Sequence, residues 1–414
     1  MPAQIIHIDL AQPLPTLRIA ARYPAAWLFV KFGPQPIGRV LCEARTLGRV
    51  IEPDALAKII ADTFWREIHD AAQRRLFDPI VLRHSPMMSI VICTTAASTL
   101  LERQLQSISQ LQYPHREVIV VSSATREPHV ATLCAKYSFV RHVFEPRPGL
   151  NYVRNTGWQV SRGEIVAYVD DDGTLDPLWL TALAANYQEP RIGCVSGLVL
   201  PLELQSAAQE QFERHSPLQI ARRVYKPGTA SVMLALTASR LVGGTNISFR
   251  RSTLAAIGGF DVALDAGSIG RGGGIADITA RVLRHGGEVV YDPRAICYHT
   301  PPKTFEQLRR RVFDHGFGRA ACAMKYAHDL EVANLSIRAL KQWFWKAGAL
   351  RLAANLRLAA AGREHCPIQL IFAEMIGAAM GLRAYRRSAR KVRNDQPRFQ
   401  QRRMFPTAAT RSAA

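Results

Sequence analysis

The sequence predicts an α/β protein built on a doubly wound, mostly parallel sheet, and three observations carry that prediction. Short apolar, β-branched runs recur through the middle of the chain, at residues 89–94 (SIVICT), 117–122 (EVIVVS) and 164–169 (EIVAYV). Such runs suit strands buried on both faces. The segments between them have helical periodicity and enough length for right-handed crossovers. The third run ends in Asp170, Asp171 and Asp172, at the carboxyl end of a strand, where sheets of this kind hold their ligands.

Taken in order, residues 24–50 read as short strands punctuated by Gly33, Pro34 and Pro36, and residues 53–76 as a helix. Residues 1–84 are therefore expected to form a small α+β accessory module. The sheet domain spans 85–320. Within it a helix over 98–110 follows the first strand, then come the second strand, a helix over 128–137 and a strand over 139–145. After the aspartates, Asp176 is the expected N-cap of the next helix and Pro177 its first residue. A strand over 194–200 precedes a less regular region reaching to about 240. The string GGTNISFRRSTLAAIGGFD then leads to a helix over 275–284 and the strand EVVYDP. From 305 onward the chain reads as long basic helices, and 321–414 as a basic, helical C-terminal region.

The 414 residues hold 53 Lys and Arg against 33 Asp and Glu, a net charge of +20. That surplus calls for a polyanionic neighbour: nucleic acid, an anionic membrane or a phosphorylated substrate. Nucleic acid is set aside, because no helix-turn-helix, RNP motif or zinc spacing occurs. The 48% hydrophobic and 21% charged residues exclude global disorder and a polytopic membrane protein. Seven cysteines stand singly, as reduced thiols of a cytosolic protein do. The N-terminus lacks the basic and apolar regions of a secretory signal, so a cytoplasmic protein is expected. The apolar stretch 368–382, interrupted by Glu374, is shorter than a spanning helix requires, yet nine basic residues and one acid follow it over 381–404. An anionic bilayer at the inner face of the cell membrane would suit that pattern; so would a packing helix followed by a solvated tail.

Three consecutive carboxylates repel one another unless a cation offsets their charge. Mg²⁺ or Mn²⁺ takes carboxylate oxygens and shares its remaining positions with phosphate oxygens. The bland alternative is an acidic turn capping the next helix, which Asp176 alone would satisfy.

The ordered series SIVICT, EVIVV, RPGLNYVRNTGWQVSRGEIVAYVDDD, GGTNISFRRSTLAAIGGFD and GGGIADITARVLRHGGEVVYDPRAICYH resembles the family 2 glycosyltransferases of the GT-A fold, over roughly residues 87–320. The resemblance implies an inverting enzyme that moves a sugar from a nucleotide-diphosphate donor to an acceptor hydroxyl, on a glycan or a lipid-linked carrier, with Mg²⁺ or Mn²⁺. It makes Asp170 and Asp172 the DxD ligands of metal and ribose-phosphate, with Asp171 in the donor set and His299 as a further metal ligand. Arg154 and Asn155 match the element beside the nucleotide, where Arg154 would pair with the pyrophosphate. Gly244, with Gly243, Thr245 and Asn246, matches the segment approaching the donor sugar. Arg281 ends the family's DxxxR pattern, and the resemblance puts it in the donor set, where it would face the diphosphate.

The chain departs from the family pattern at three places. Relatives carry an acid where this chain has Ile275 and a second where it has Asp277; only Asp277 remains. Either Asp277 is the base that deprotonates the acceptor, or the chain is a degenerate, non-catalytic member that binds a nucleotide or a partner at a membrane. Ser122 stands where the family has the aspartate that reads uracil, and Thr94 is followed by Thr95, Ala96 and Ala97 rather than a charged residue. Thr94 and Ser122 thus line the nucleoside without charged discrimination.

Overall fold

Alternating apolar residues at the N-terminus build a small sheet. The computed structural model describes residues 2–77, 82–123, 127–214, 218–237, 244–327, 329, 332–360 and 366–404. It opens with β1 (Gln4–Asp9), the short β2 (Leu17–Arg18), β3 (Ala25–Phe32), β4 (Gln35–Glu43), a single turn α1 (Ala44–Leu47) and β5 (Val50–Ile51). β1 lies parallel and β4 antiparallel to β3. Helix α2 (Pro53–Phe77) buries Leu56, Ile60 and Phe64 in one cluster with Leu28, Val30 and Ile37. Within residues 1–84 the sequence pattern marks strands only from residue 24; the structure adds β1 and β2 before them.

The central sheet begins with β6 (Met88–Thr94), α3 (Thr99–Ser109), β7 (Arg116–Ser123), α4 (Glu127–Cys134), β8 (Val140–Glu145), α5 (Leu150–Val160) and β9 (Ile165–Asp170). Ser98 caps α3 by accepting a hydrogen bond from the Leu101 amide. Next come β10 (Gly173–Leu175), α6 (Trp179–Asn186), β11 (Ile192–Pro201), α7 (Ala207–Arg214), β12 (Arg223–Tyr225), α8 (Thr229–Thr237) and β13 (Asn246–Arg250). Helices α9 (Arg251–Ile257) and α10 (Gly274–Arg284) precede the long β14 (Glu288–His299). The strand order is β10-β14-β11-β13-β9-β6-β7-β8, with β12 also on β14. β8, β7, β6 and β9 are parallel. β13 enters antiparallel between β9 and β11, and β14 runs parallel to β11. Six strands therefore point one way, with their carboxyl ends along one edge. Ile90, Ile92, Val120, Ile165 and Ala167 face one layer, and Val91, Ile119, Val121, Val166 and Tyr168 the other. Burial of each such Ile or Val is worth about 1.5–3 kcal/mol.

Two local expectations change. Helix α6 starts at Trp179 rather than Pro177; Asp176 accepts from the Leu178 amide and pairs with Lys31 of β3 at 2.7 Å. The region before 240, expected to be irregular, contains α7, β12 and α8. The accessory sheet packs on the central one through Phe29, Leu198, Leu200 and Ile296. The rings of His7 and Tyr298 meet edge-on, with 4.7 Å between centroids.

The expected basic helices are α11 (Phe305–Tyr326), capped by a Thr304–Gln307 box, α12 (Ala333–Phe344), a π-helical turn over Trp345–Leu350, α13 (Arg351–Ala360), α14 (Ile368–Gly381) and α15 (Ala384–Met404). Helices α11 and α14 cross at glycines: a Cβ on Gly377 would lie 2.2 Å from the Phe313 carbonyl oxygen, and one on Gly316 2.0 Å from that of Glu374. Among the described residues, no helix is long and apolar enough to cross a membrane.

Candidate active site

The strand ends bring Thr94, Ser122, the aspartate turn and His299 to one edge. Register places Thr94 of β6 beside Ser122 of β7, and Cys93 beside Asp170 of β9. The Thr94 hydroxyl donates to Asp171 Oδ2 at 2.5 Å, and Ser122 Oγ lies 2.8 Å from His142 Nε2. His142, on β8, was not singled out in the sequence, because a polar residue in a strand has no motif to mark it.

Strand β10 pairs antiparallel with the end of β14, setting Gly173 opposite His299. The aspartate turn is thereby held over the strand end. His299 Nε2 lies 3.2 Å from Asp172 Oδ2, and one ligand atom each of Asp170, Asp172 and His299 falls within 4.8 Å of the others. Asp172 Oδ1 is buried without a hydrogen-bond partner among the described residues. An orphaned carboxylate oxygen beside a second carboxylate and an imidazole is a fitting donor set for a hard divalent cation.

The charges are uneven across the turn. Burial raises Asp170 above the ordinary carboxylate range, with Asp172 adding to the effect. Burial also pushes Asp171 up to about 6, although the Thr94 hydrogen bond opposes it. Burial works against ionised Asp172 too, but the hydrogen bond and charge of His299, with the charge of Arg311, hold it below the usual range. Arg311, on α11, therefore acts on this site; the sequence shows it only as one member of a basic run.

Arg154 is buried on α5 and is not an open fork. Its Nη1 donates to Asn151 Oδ1 at 3.1 Å and to Asp265 Oδ2 at 2.7 Å. Its Nη2 lies 3.9 Å from where a Cβ on Gly244 would be, and such a Cβ would approach Ile275 Cγ1 to 3.0 Å. Gly244 thus lets the start of β13 run close to both; Gly243 lies outside the described residues. Asn155 is structural: it donates to the Phe260 carbonyl and accepts from the Phe260 amide and the Trp158 indole. Asn246 is equally buried, bonded to Trp179 and to the carbonyls of Leu198 and Ala295.

Asp277 does not have the surroundings expected of a base. Its side chain is 0% exposed. Arg281 Nη2 and Nε donate to Oδ2 at 2.7 and 3.0 Å, Lys325 Nζ lies 2.5 Å from Oδ1, and the Tyr326 hydroxyl donates to Oδ1 at 2.8 Å. Burial opposes the charge, but Lys325 and Arg281 outweigh it and hold the carboxyl below its ordinary range. A carboxylate so enclosed offers no surface to an acceptor hydroxyl. Arg281, whose Nη1 donates to the Ile257 carbonyl, is turned into this network instead of toward a diphosphate.

A different acid stands at the head of α10. Asp265 has a backbone φ of 67°, uncommon for a residue other than glycine. It accepts from the Gly274 amide at 2.8 Å as well as from Arg154. A Cβ on Gly274 would lie 2.2 Å from Asp265 Oδ2, so this carboxylate fills the space a side chain at 274 would take.

The family profile described as Glycosyl transferase family 2 matches residues 89–253, which contain the first four parallel strands and the aspartate turn. Over those residues the chain is a glycosyltransferase of the family 2 type. A glucosyl-dolichyl phosphate glucuronosyltransferase of Haloferax volcanii is 24% identical over 271 residues, covering 61% of this chain and 82% of the relative. A pre-mycofactocin glycosyltransferase of Mycobacterium tuberculosis is 26% identical over 194 residues, covering 46% of this chain and 38% of the relative. Among solved structures, a mannosyltransferase of Pyrobaculum calidifontis in complex with GDP-Man and Mn²⁺ is similar at 20% identity and a TM-score of 0.49, covering 76% of this chain and 93% of that one. The glycosyltransferase takes its donor from the nucleotide-sugars that define the family, and its mostly parallel α/β sheet is the one the sequence predicts.

Proposed function

We propose that this glycosyltransferase is an inverting, cation-dependent enzyme that passes a sugar from a nucleotide diphosphate to a hydroxyl of a glycan or lipid-linked acceptor. The buried, unpartnered Asp172 Oδ1 beside Asp170 and His299 carries the reading. These three residues would hold Mg²⁺ or Mn²⁺, which when bound offsets the charge of the departing diphosphate. Arg311 adds positive charge from α11. Thr94 and Ser122 line the nucleoside at the strand ends, and Asp171 steers Thr94 through their hydrogen bond. Residues 85–320 are the transferase domain in this reading, 1–84 an accessory module and 321–414 a helical region.

Inversion needs a carboxylate that takes the acceptor proton on the face opposite the leaving group. We assign that role to Asp265. Its side chain keeps some exposure, at 11%, and it stands beside the Ile275 position where relatives have their acid. Arg154, locked onto Asp265, orients it. The lipid-linked acceptor is supported by the haloarchaeal relative, whose name contains glucosyl-dolichyl phosphate.

The test is donor hydrolysis and transfer with UDP-, GDP- and CDP-sugars, with Mn²⁺ or with EDTA. Turnover should vanish in EDTA and return with metal; metal-independent turnover would sink the proposal. Asp265→Asn should retain Mn²⁺ and donor binding but lose transfer by about 100-fold or more, the scale of removing a general base.

A further inference from the structure

We infer that α14, the π-helical turn beside it and the start of α15 form a docking face for an anionic phospholipid bilayer, with apolar side chains inserting and flanking cations holding the headgroups. Ile368, Phe372, Ile376 and Met380 recur every four residues along α14, so they share one side of the helix. They are exposed, Phe372 at 51%, Ile376 at 53% and Met380 at 60%. The packed side buries Leu370, Ile371, Ala373, Gly377, Ala378 and Gly381 and lies close against α11. Helix α14 therefore seats one side on the protein, through Leu370 and Ile371 as well as its small residues, and still leaves four large apolar side chains in solvent where a soluble surface helix carries polar ones.

The bare stripe has neighbours. A Cβ on Gly348 would lie 2.6 Å from Met375 Cε, so the π-helical turn runs alongside α14. Trp345, 61% exposed, belongs to that turn, and Phe344 and Leu350, also exposed, flank and end it. Immediately past the stripe, Arg383, Arg386, Arg387, Arg390, Lys391 and Arg393 are all exposed. At about 1.5 Å per residue the 14 residues of α14 fall well short of the roughly 30 Å hydrocarbon core. A helix of this kind lies in the interface, apolar side down, with basic residues on the phosphates. A protein partner would fit the apolar stripe, but the dense positive charge at its end favours a polyanionic surface. This inference is independent of the metal and base assignments above.

The test is sedimentation of the 414-residue protein with vesicles of phosphatidylcholine alone or mixed with phosphatidylglycerol. Binding should require the anionic lipid and weaken as salt is raised. The variant Phe372→Ser/Ile376→Ser/Met380→Ser should bind the mixed vesicles at least about tenfold more weakly, as should Arg387→Glu/Arg390→Glu, while hydrolysis of a soluble donor stays unchanged in both. Absence of binding to the mixed vesicles would overturn the proposal, as would equal binding by the triple-serine variant. So would a lipid-free dimer dissociated by the serine substitutions, because the stripe would then be covered by a second copy.

Discussion

Asp172, Asp265 and Asp277 are three aspartates with three environments, and each environment dictates a different outcome of mutation. Asp172→Ala removes the orphaned oxygen and His299's partner; Mn²⁺ binding followed by calorimetry should be lost, and turnover with it. Because Asp171 holds its proton up to about 6, Mn²⁺ affinity should rise as pH is raised through that value. Asp277→Asn leaves Lys325 and Arg281 with weakened partners in a closed site, and should cost about 3–5 kcal/mol of stability. Its folded value is depressed, so the stabilisation is present above the ordinary carboxylate range and is lost as pH falls through the folded value. Wild type and Asp277→Asn should therefore converge in stability toward acid, as thermal melts across pH would show. The aspartate turn and His299 were legible in the sequence, since a run of acids and a family motif mark them. Asp265 was not, because its role depends on a backbone turn and an empty Cβ position nine residues later.

At the scale of elements, the buried strands were the most legible, because continuous β-branched runs have few alternatives. The short helices and strand between 201 and 240 were missed, since no sustained periodicity distinguishes them from a loop. The crossing of α11 and α14 was equally invisible: Gly316, Gly377 and Gly381 matter only once two helices meet. Gly377→Val places a branched side chain where even a Cβ would lie 2.2 Å from the Phe313 carbonyl oxygen. It should lower stability by about 1–3 kcal/mol, the usual range for overpacking, and expose α14 to limited proteolysis. The basic run is plain in the sequence, but the sequence does not divide it. The structure directs the charge of Arg311 to the aspartates and leaves Arg383 to Arg393 on the surface.

For the whole molecule, partly buried ion pairs, Lys31–Asp176 and Arg39–Glu213, and an apolar seam hold the accessory module to the rest of the chain. Lys31→Ala would leave Asp176 buried with its partner gone; a loss of about 1–3 kcal/mol is expected, with a lower thermal midpoint. The seam also ends at a telling position. Tyr298, which meets His7 of the module, and His299, which meets Asp172, are consecutive residues of β14, and consecutive strand residues face opposite sides. A single peptide bond thus joins the module's footing to His299, so movement of the module is expected to reach the imidazole. The accessory module is in that sense a brace for the histidine, and loosening it at Lys31 should weaken Mn²⁺ binding without touching a ligand.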